Sequence, residues 1–219
     1  KNAPWPLLRQ VEQELVISRA LGEIFNNDYL KSRIACRGGT ALNKFIFPRP
    51  LRYSEDIDFN RLEKGAAKSL LNEVRNALDD MLGQPKTVKR TDRSIKMIYD
   101  YASVDGTVAR LKIEINVRET LPQKSLHKIP YSVESDYFSG KTTVMAFDPE
   151  EMIGSKLRAL YQRNKGRDLF DLYEIGKLSD NWDKIVASFH AFNTGATKTL
   201  FEKNLEEKMQ DEAFLGEIF

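Results

Sequence analysis

The chain has 219 residues, of which 41% are hydrophobic and 30% charged, with a net charge of +2. That length holds one large domain or two small ones around a substantial core, and the composition is that of a soluble globular protein rather than a fibrous, disordered or membrane chain. The near-neutral balance excludes a polyanion binder that works by bulk charge, so any such contact must come from local clustering.

The opening Lys1-Asn2-Ala3-Pro4-Trp5 is unlike a signal peptide, and no apolar run reaches the length of a membrane span. Cys36 is the only cysteine, which excludes an internal disulfide and fits a reducing cytoplasm. The expectation is a cytoplasmic protein with no membrane partner. Cys36, in Ile34-Ala35-Cys36, reads as a small buried residue rather than a nucleophile. His127 and His190 stand far apart without a cysteine cluster, which argues against zinc.

In chain order, residues 6–25 carry the 3.6-residue periodicity of a helix, with Leu8, Val11, Leu15, Ser18 and Phe25 near one face. Residues 33–37 predict a short strand. Gly38-Gly39 then turns the chain, and Thr40 is placed to cap a helix that Pro48 and Pro50 stop near Phe47. Residues 55–60 predict a strand. Residues 66–82 predict an amphipathic helix with Leu70, Leu71, Val74, Leu78 and Met81 in its stripe, closed by Gly83 and Pro85. Ile95, Met97, Tyr99 and Tyr101 alternate as in a half-buried strand, and Val104-Asp105-Gly106-Thr107 is a hairpin turn signal. The returning strand has Leu111, Ile113 and Ile115 on one face and Arg110, Lys112, Glu114 and Asn116 on the other. Residues 118–140 read as irregular and 141–147 as a further strand. At Asp148-Pro149-Glu150-Glu151 a strong helix start appears, and the rest of the chain reads helical. The fold expected is α+β, with an α/β domain over 1–147 and a helical domain over 148–219.

Asp56 and Asp58 lie at i and i+2 on a predicted strand, so their side chains share a face with Cα atoms about 6.5–7 Å apart. Carboxylates so placed can hold Mg²⁺, which prefers oxygen ligands and completes its shell with substrate phosphates. Asp-x-Asp alone is weak, because exposed strand faces often carry acids. Gly38-Gly39-Thr40 upstream adds specificity: glycine amides at a helix start can approach a triphosphate, and the Thr40 hydroxyl offers a donor. Alone, Gly-Gly is an ordinary strand-to-helix turn. Glu114 is the best candidate for a third carboxylate, the alternative being a surface salt bridge to Arg110 or Lys112. Lys156 sits within an apolar helical stripe, where it either snorkels or reaches a phosphate. Asp168 and Asp171 share a helix face and read, by spacing alone, as structural acids at a helix start. Lys86, Lys89, Arg90, Arg93 and Lys96 gather within eleven residues, either as a solvated face or as a nucleic-acid contact.

Gly38-Gly39-Thr40 with Arg52-Tyr53-Ser54-Glu55-Asp56-Ile57-Asp58 resembles the first motif of polymerase-β-like minimal nucleotidyltransferases. Lys156-Leu157-Arg158-Ala159-Leu160, followed by Arg163 and Arg167-Asp168-Leu169-Phe170-Asp171-Leu172, resembles the AbiEii family of nucleotidyltransferase toxins, which includes the MenT type. The resemblance spans residues 36–175. It implies a polymerase-β-like nucleotidyltransferase domain, with a helical C-terminal domain completing the active-site cleft. It further implies a toxin of a toxin–antitoxin or phage-defence system beside a separately encoded antitoxin. The implied reaction is transfer of NMP from an NTP to RNA, the tRNA 3′ end foremost, using two Mg²⁺ ions or Mn²⁺ and releasing pyrophosphate. Alternatives are transfer to a protein or small molecule, and a nucleotide-binding module without turnover. The resemblance carries nucleotide binding to Gly38, Gly39, Thr40, Arg52, Ser54 and Lys156, and metal binding to Asp56, Asp58 and Glu114. It adds a catalytic role for Lys156 and Asp168. Many relatives have Asp where this chain has Glu114.

Overall fold

The computed structural model describes residues 4–118, 121–192 and 195–217. The chain divides into two compact units, Lys1–Phe147 and Asp148–Phe219.

The first unit is built from α1 (Leu8–Asn26), β1 (Ile34–Arg37), α2 (Gly38–Phe45), β2 (Asp56–Arg61), α3 (Ala67–Leu82), β3 (Thr87–Arg90), β4 (Ser94–Ala102), β5 (Val108–Asn116), β6 (His127–Glu134) and β7 (Ser139–Ala146). Its strands form one mixed sheet in the order β3-β4-β5-β2-β1-β7-β6. The pairs β2/β5 and β1/β7 are parallel and the others antiparallel. The two-residue alternation of the central strands sorts their side chains. Ile57 and Phe59 on β2, Ile113 and Ile115 on β5, and Met97 and Tyr99 on β4 are almost fully buried. α1 and α3 cover that face: Phe25 packs on Phe59 with ring centroids 6.0 Å apart, and the Tyr99 hydroxyl donates to Asp79 at 3.2 Å. The opposite face carries the polar residues.

Two strands lie where the sequence showed none. β3 is an edge strand whose four residues are all exposed, so it has no apolar alternation to read. β6, within the stretch expected to be irregular, is the other edge strand and has Pro130 mid-strand. An edge strand tolerates a proline because its outward amide has no ladder partner to lose. Thr40 is not the cap of α2; the helix begins at Gly38, with Arg37 as its N-cap.

The second unit consists of α4 (Pro149–Gln162), α5 (Gly166–Gly176), α6 (Trp182–Phe192), α7 (Lys198–Lys208) and α8 (Glu212–Gly216). α4 starts as its sequence requires: the Asp148 carboxylate accepts from the Glu150 and Glu151 amides at 3.0 and 3.3 Å, and Pro149 takes the first helical position. Gly154 lets α4 approach α6 closely, since a Cβ there would stand 2.9 Å from the Phe189 backbone nitrogen. At the other end of α4, Lys208 donates to the carbonyls of Leu160, Tyr161 and Arg163, satisfying acceptors that a helix end leaves open. Tyr161, Phe189 and Phe201 form an aromatic cluster beside it.

Candidate active site

On the polar face of the first unit, neighbouring strands bring three carboxylates together. Asp58 on β2 is in register with Glu114 on β5, and Asp56 with Lys112. Glu114 is in turn opposite Lys96 on β4, and Asp58 opposite Arg37 on β1. The Lys112 ammonium lies 2.6 Å from Asp56 Oδ2 and 3.8 Å from Glu114 Oε2. Lys96 lies 3.1 Å from Glu114 Oε1. Arg110, the other cation expected to pair with Glu114, binds Asp100 at 3.1 Å.

The electrostatics of this face call for positive charge. Burial pushes the Asp58 carboxyl above the usual carboxylate range, Asp56 and Glu114 push it further, and Lys112 and Arg37 offset only part of the rise. Burial disfavours the Lys112 ammonium too, but Asp56, Asp58 and Glu114 outweigh it and hold the lysine above its ordinary value. Among the described residues no group of three or more His, Cys, Asp or Glu forms a ready metal cage. The donors nonetheless fit a hard divalent ion, because Mg²⁺ takes one or two protein carboxylates and draws the rest of its shell from water and phosphate. Asp56 and Asp58, with Glu114, are the residues that would hold it.

The glycine turn abuts these carboxylates. Gly38 has φ of 77°, a backbone region costly to residues with a side chain. A Cβ at Gly38 would stand 3.0 Å from Asp58 Cγ and closer still to its Oδ2. At Gly39 it would collide with the Arg52 guanidinium. No side chain caps the start of α2, so backbone amides and the helix dipole favour an anion there, with Arg52 beside them. Gly38→Ala should cost about 1–2 kcal/mol through its backbone conformation alone and also displace Asp58. Gly106, with φ of 79° and nothing within 4 Å of a Cβ, supplies the control. Gly106→Ala should lower the melting temperature and spare the chemistry of the carboxylate face, whereas Gly38→Ala should impair both. Full activity of a folded Gly38→Ala would contradict the placement.

Thr40 and Ser54 lie at the turn but are occupied. The Thr40 hydroxyl, 4% exposed, is hydrogen-bonded to the Ser54 hydroxyl and the Asp56 carbonyl. These contacts tie α2 to the start of β2 and so fix the position of Asp56. Cys36 is 1% exposed, and burial raises its thiol well above the usual range, which suits packing rather than attack.

In the second unit, Lys156 from α4 is 5% exposed, with its ammonium 2.9 Å from Asp168 and 3.0 Å from Asp171 on α5. Both aspartates are fully buried. Arg163 adds two hydrogen bonds to Asp168, at 2.7 and 2.9 Å. Burial alone would raise the Asp168 carboxyl, but Arg163 and Lys156 reverse that and hold it below the ordinary range.

The five clustered cations are divided by the fold. Lys89, Arg93 and Lys96 line one cleft beside Glu114. Lys86 pairs with Asp100 at 2.7 Å, and Arg90 is in register with Ile95, on the other side of the strand from Lys89. Sequence reasoning missed Lys112 and Arg37 as neighbours of the aspartates. Their positions depend on strand register, which alternation within one strand cannot reveal.

The family described as nucleotidyl transferase AbiEii toxin, type IV TA system, matches residues 19–217. A nucleotidyltransferase structure from H. pylori is similar over 96% of both chains, with TM-score 0.55 and 21% identity. The nucleotidyltransferase toxin MenT4 from Mycobacterium tuberculosis is similar over 82% of this chain and 63% of its own, with TM-score 0.58 and 16% identity. At these identities the structures show a shared fold. No curated protein sequence gives a significant match. The polymerase-β-like α+β architecture and the family match over most of the chain place this protein in the AbiEii family of nucleotidyltransferase toxins.

Proposed function

We propose that the protein transfers a nucleoside monophosphate from an NTP to the terminal hydroxyl of an RNA, with the tRNA 3′ end the leading acceptor. The observation that supports this most is the carboxylate group Asp56, Asp58 and Glu114 beside the uncapped start of α2. In the reaction the acceptor oxygen bonds to the α-phosphorus, the bond from that phosphorus to the β-phosphate oxygen breaks, and pyrophosphate leaves while the hydroxyl proton passes to water. The Gly38 and Gly39 amides and Arg52 would hold the triphosphate. Asp56 and Asp58, with Glu114, would hold Mg²⁺, which supplies charge stabilisation for the leaving group and orients the attacking oxygen. Lys156 contributes a phosphate contact in this reading: an ammonium carries three donors, and Asp168 and Asp171 take two. The family implies a separately encoded antitoxin. No helix among the described residues is long and apolar enough to cross a membrane.

The test is incubation with each of the four labelled NTPs and total RNA, total protein or small-molecule extract. RNase-sensitive label, dependent on a divalent cation, is the expected result. Label confined to protein or to a small molecule overturns the RNA acceptor, and no label from any NTP overturns transfer.

A further inference from the structure

We propose that the cleft between the β3–β4 edge and Glu114 is the seat of the acceptor RNA's phosphate backbone, leading its 3′ end to the carboxylate face. This rests on nucleotidyl transfer to RNA as the reaction of that face. The cleft measures about 390 Å³ and is lined by Lys89, Arg93 and Lys96, with Ser94 and Asn116 among its neutral residues and Glu114 the acid among the described residues that line it.

Three features point to an external polyanion. Lys89 and Lys96 are directly opposed across β3 and β4. Like charges so placed repel, and an anion seated over both offsets that repulsion. The fold also pairs two nearby cations closely with a carboxylate but does not do so for Lys89 or Arg93. Lys86 and Arg110 share Asp100, whereas among the described residues Lys89 has no ion-pair partner and Arg93 has only a 4.0 Å contact to exposed Asp92. Lys96 is half-committed, since it holds Glu114 at 3.1 Å. Lastly, Lys89, Lys96, Glu114 and Asp58 occupy one continuous row across β3, β4, β5 and β2. Three strand spacings make that row about 14 Å long, close to the rise of four stacked nucleotides at about 3.4 Å each. A polymer with one charge per unit and a reactive terminal hydroxyl fits a row that runs from cations to carboxylates. An acidic protein surface has no reason to end there. Lys89 and Arg93 bind backbone, and Lys96 is a positioning residue that sets the Glu114 carboxylate at the end of the track.

The experiment is anisotropy of fluorescein-labelled tRNA with the full chain and no NTP, across a salt series. Lys89→Glu/Arg93→Glu should weaken binding at least about tenfold and reduce the log–log salt slope by about two. Lys89→Ala/Arg93→Ala should show a smaller loss and covers the case in which charge reversal impairs folding. Lys203→Glu, an exposed charge reversal in α7, should bind as wild type. Unchanged RNA affinity in both cleft variants overturns the proposal. So does an equal loss in Lys203→Glu, competition by polyglutamate as effective as by RNA, or no RNA binding by wild type. Its failure is separable from that of the transfer reading. Wild-type transfer with an unaltered KM for RNA in the cleft variants removes the cleft and keeps the reaction. RNA binding that depends on the cleft, without labelling from any NTP, keeps the cleft and removes the reaction.

Discussion

Asp58→Asn should reduce nucleotidyl transfer at least about a hundredfold, as expected when a charge-stabilising group at a reacting centre is removed, and should raise the melting temperature in metal-free buffer. The two effects share a cause. Asp58 is in register with Glu114 and two residues from Asp56 on the same face, and burial together with these carboxylates lifts its carboxyl above the ordinary range. A carboxyl with a raised folded-state pKa binds its proton more tightly in the folded chain than in the unfolded one. Stability is therefore fullest at low pH, declines as pH rises from the unfolded value through the raised folded value, and stays reduced above it. The amide has no charge to repel, so the gain of Asp58→Asn should appear above that window and vanish below it. Melting curves in EDTA from pH 4 to 8 read this directly. Adding Mg²⁺ should raise the wild-type melting temperature, because an ion bound only by the folded state stabilises it, and should have little effect on the variant. A variant that melts lower than wild type at neutral pH and still transfers would rule out the assignment of Asp58 as a charge-strained ligand.

How much of this was legible in the sequence depended on whether the determinant lay within one segment. Helix α4 was predictable from Asp148, Pro149 and the apolar stripe because caps and periodicity are local, and the structure places its first turn accordingly. Strand β4 and its return were predictable because Met97, Tyr99, Ile113 and Ile115 alternate against a buried face. The edge strands β3 and β6 were not, since an exposed edge needs no apolar alternation and can hold Pro130. The site divides in the same way. Asp56 and Asp58 share a face by local alternation, and Gly38 was recognisable as a turn. The Lys112–Asp56 pair required the parallel register of β2 on β5, a fact about segments more than fifty positions apart. The Thr40 hydroxyl also depends on contacts between segments. Its residue type suggested a phosphate donor, while its burial and its bonds to Ser54 and Asp56 make it a tie between elements.

Lys156→Ala should destabilise the protein by about 3–5 kcal/mol, the range observed when one partner of a buried ion pair is removed. The ammonium is 5% exposed and is the bridge between Asp168 and Asp171, both fully buried. Without it Asp171 loses that partner, while Asp168 keeps Arg163. The pH dependence has a definite sign. Asp168 is held below the ordinary carboxylate range, so its contribution is complete above about pH 4 and is lost as pH falls through its depressed value. Removing Lys156 raises that value and moves acid unfolding to higher pH. Loss of toxicity in Lys156→Ala therefore cannot by itself distinguish a missing phosphate contact from an unfolded helical unit. The charge-balanced pair Lys156→Met/Asp171→Leu separates the two, because apolar replacement of a complete buried pair is often neutral or stabilising. The pair should restore most of the melting temperature without restoring transfer. A pair that transfers at the wild-type rate would confine Lys156 to holding α4 against α5, and a Lys156→Ala variant that melts with wild type would show that the buried cluster contributes nothing to the fold.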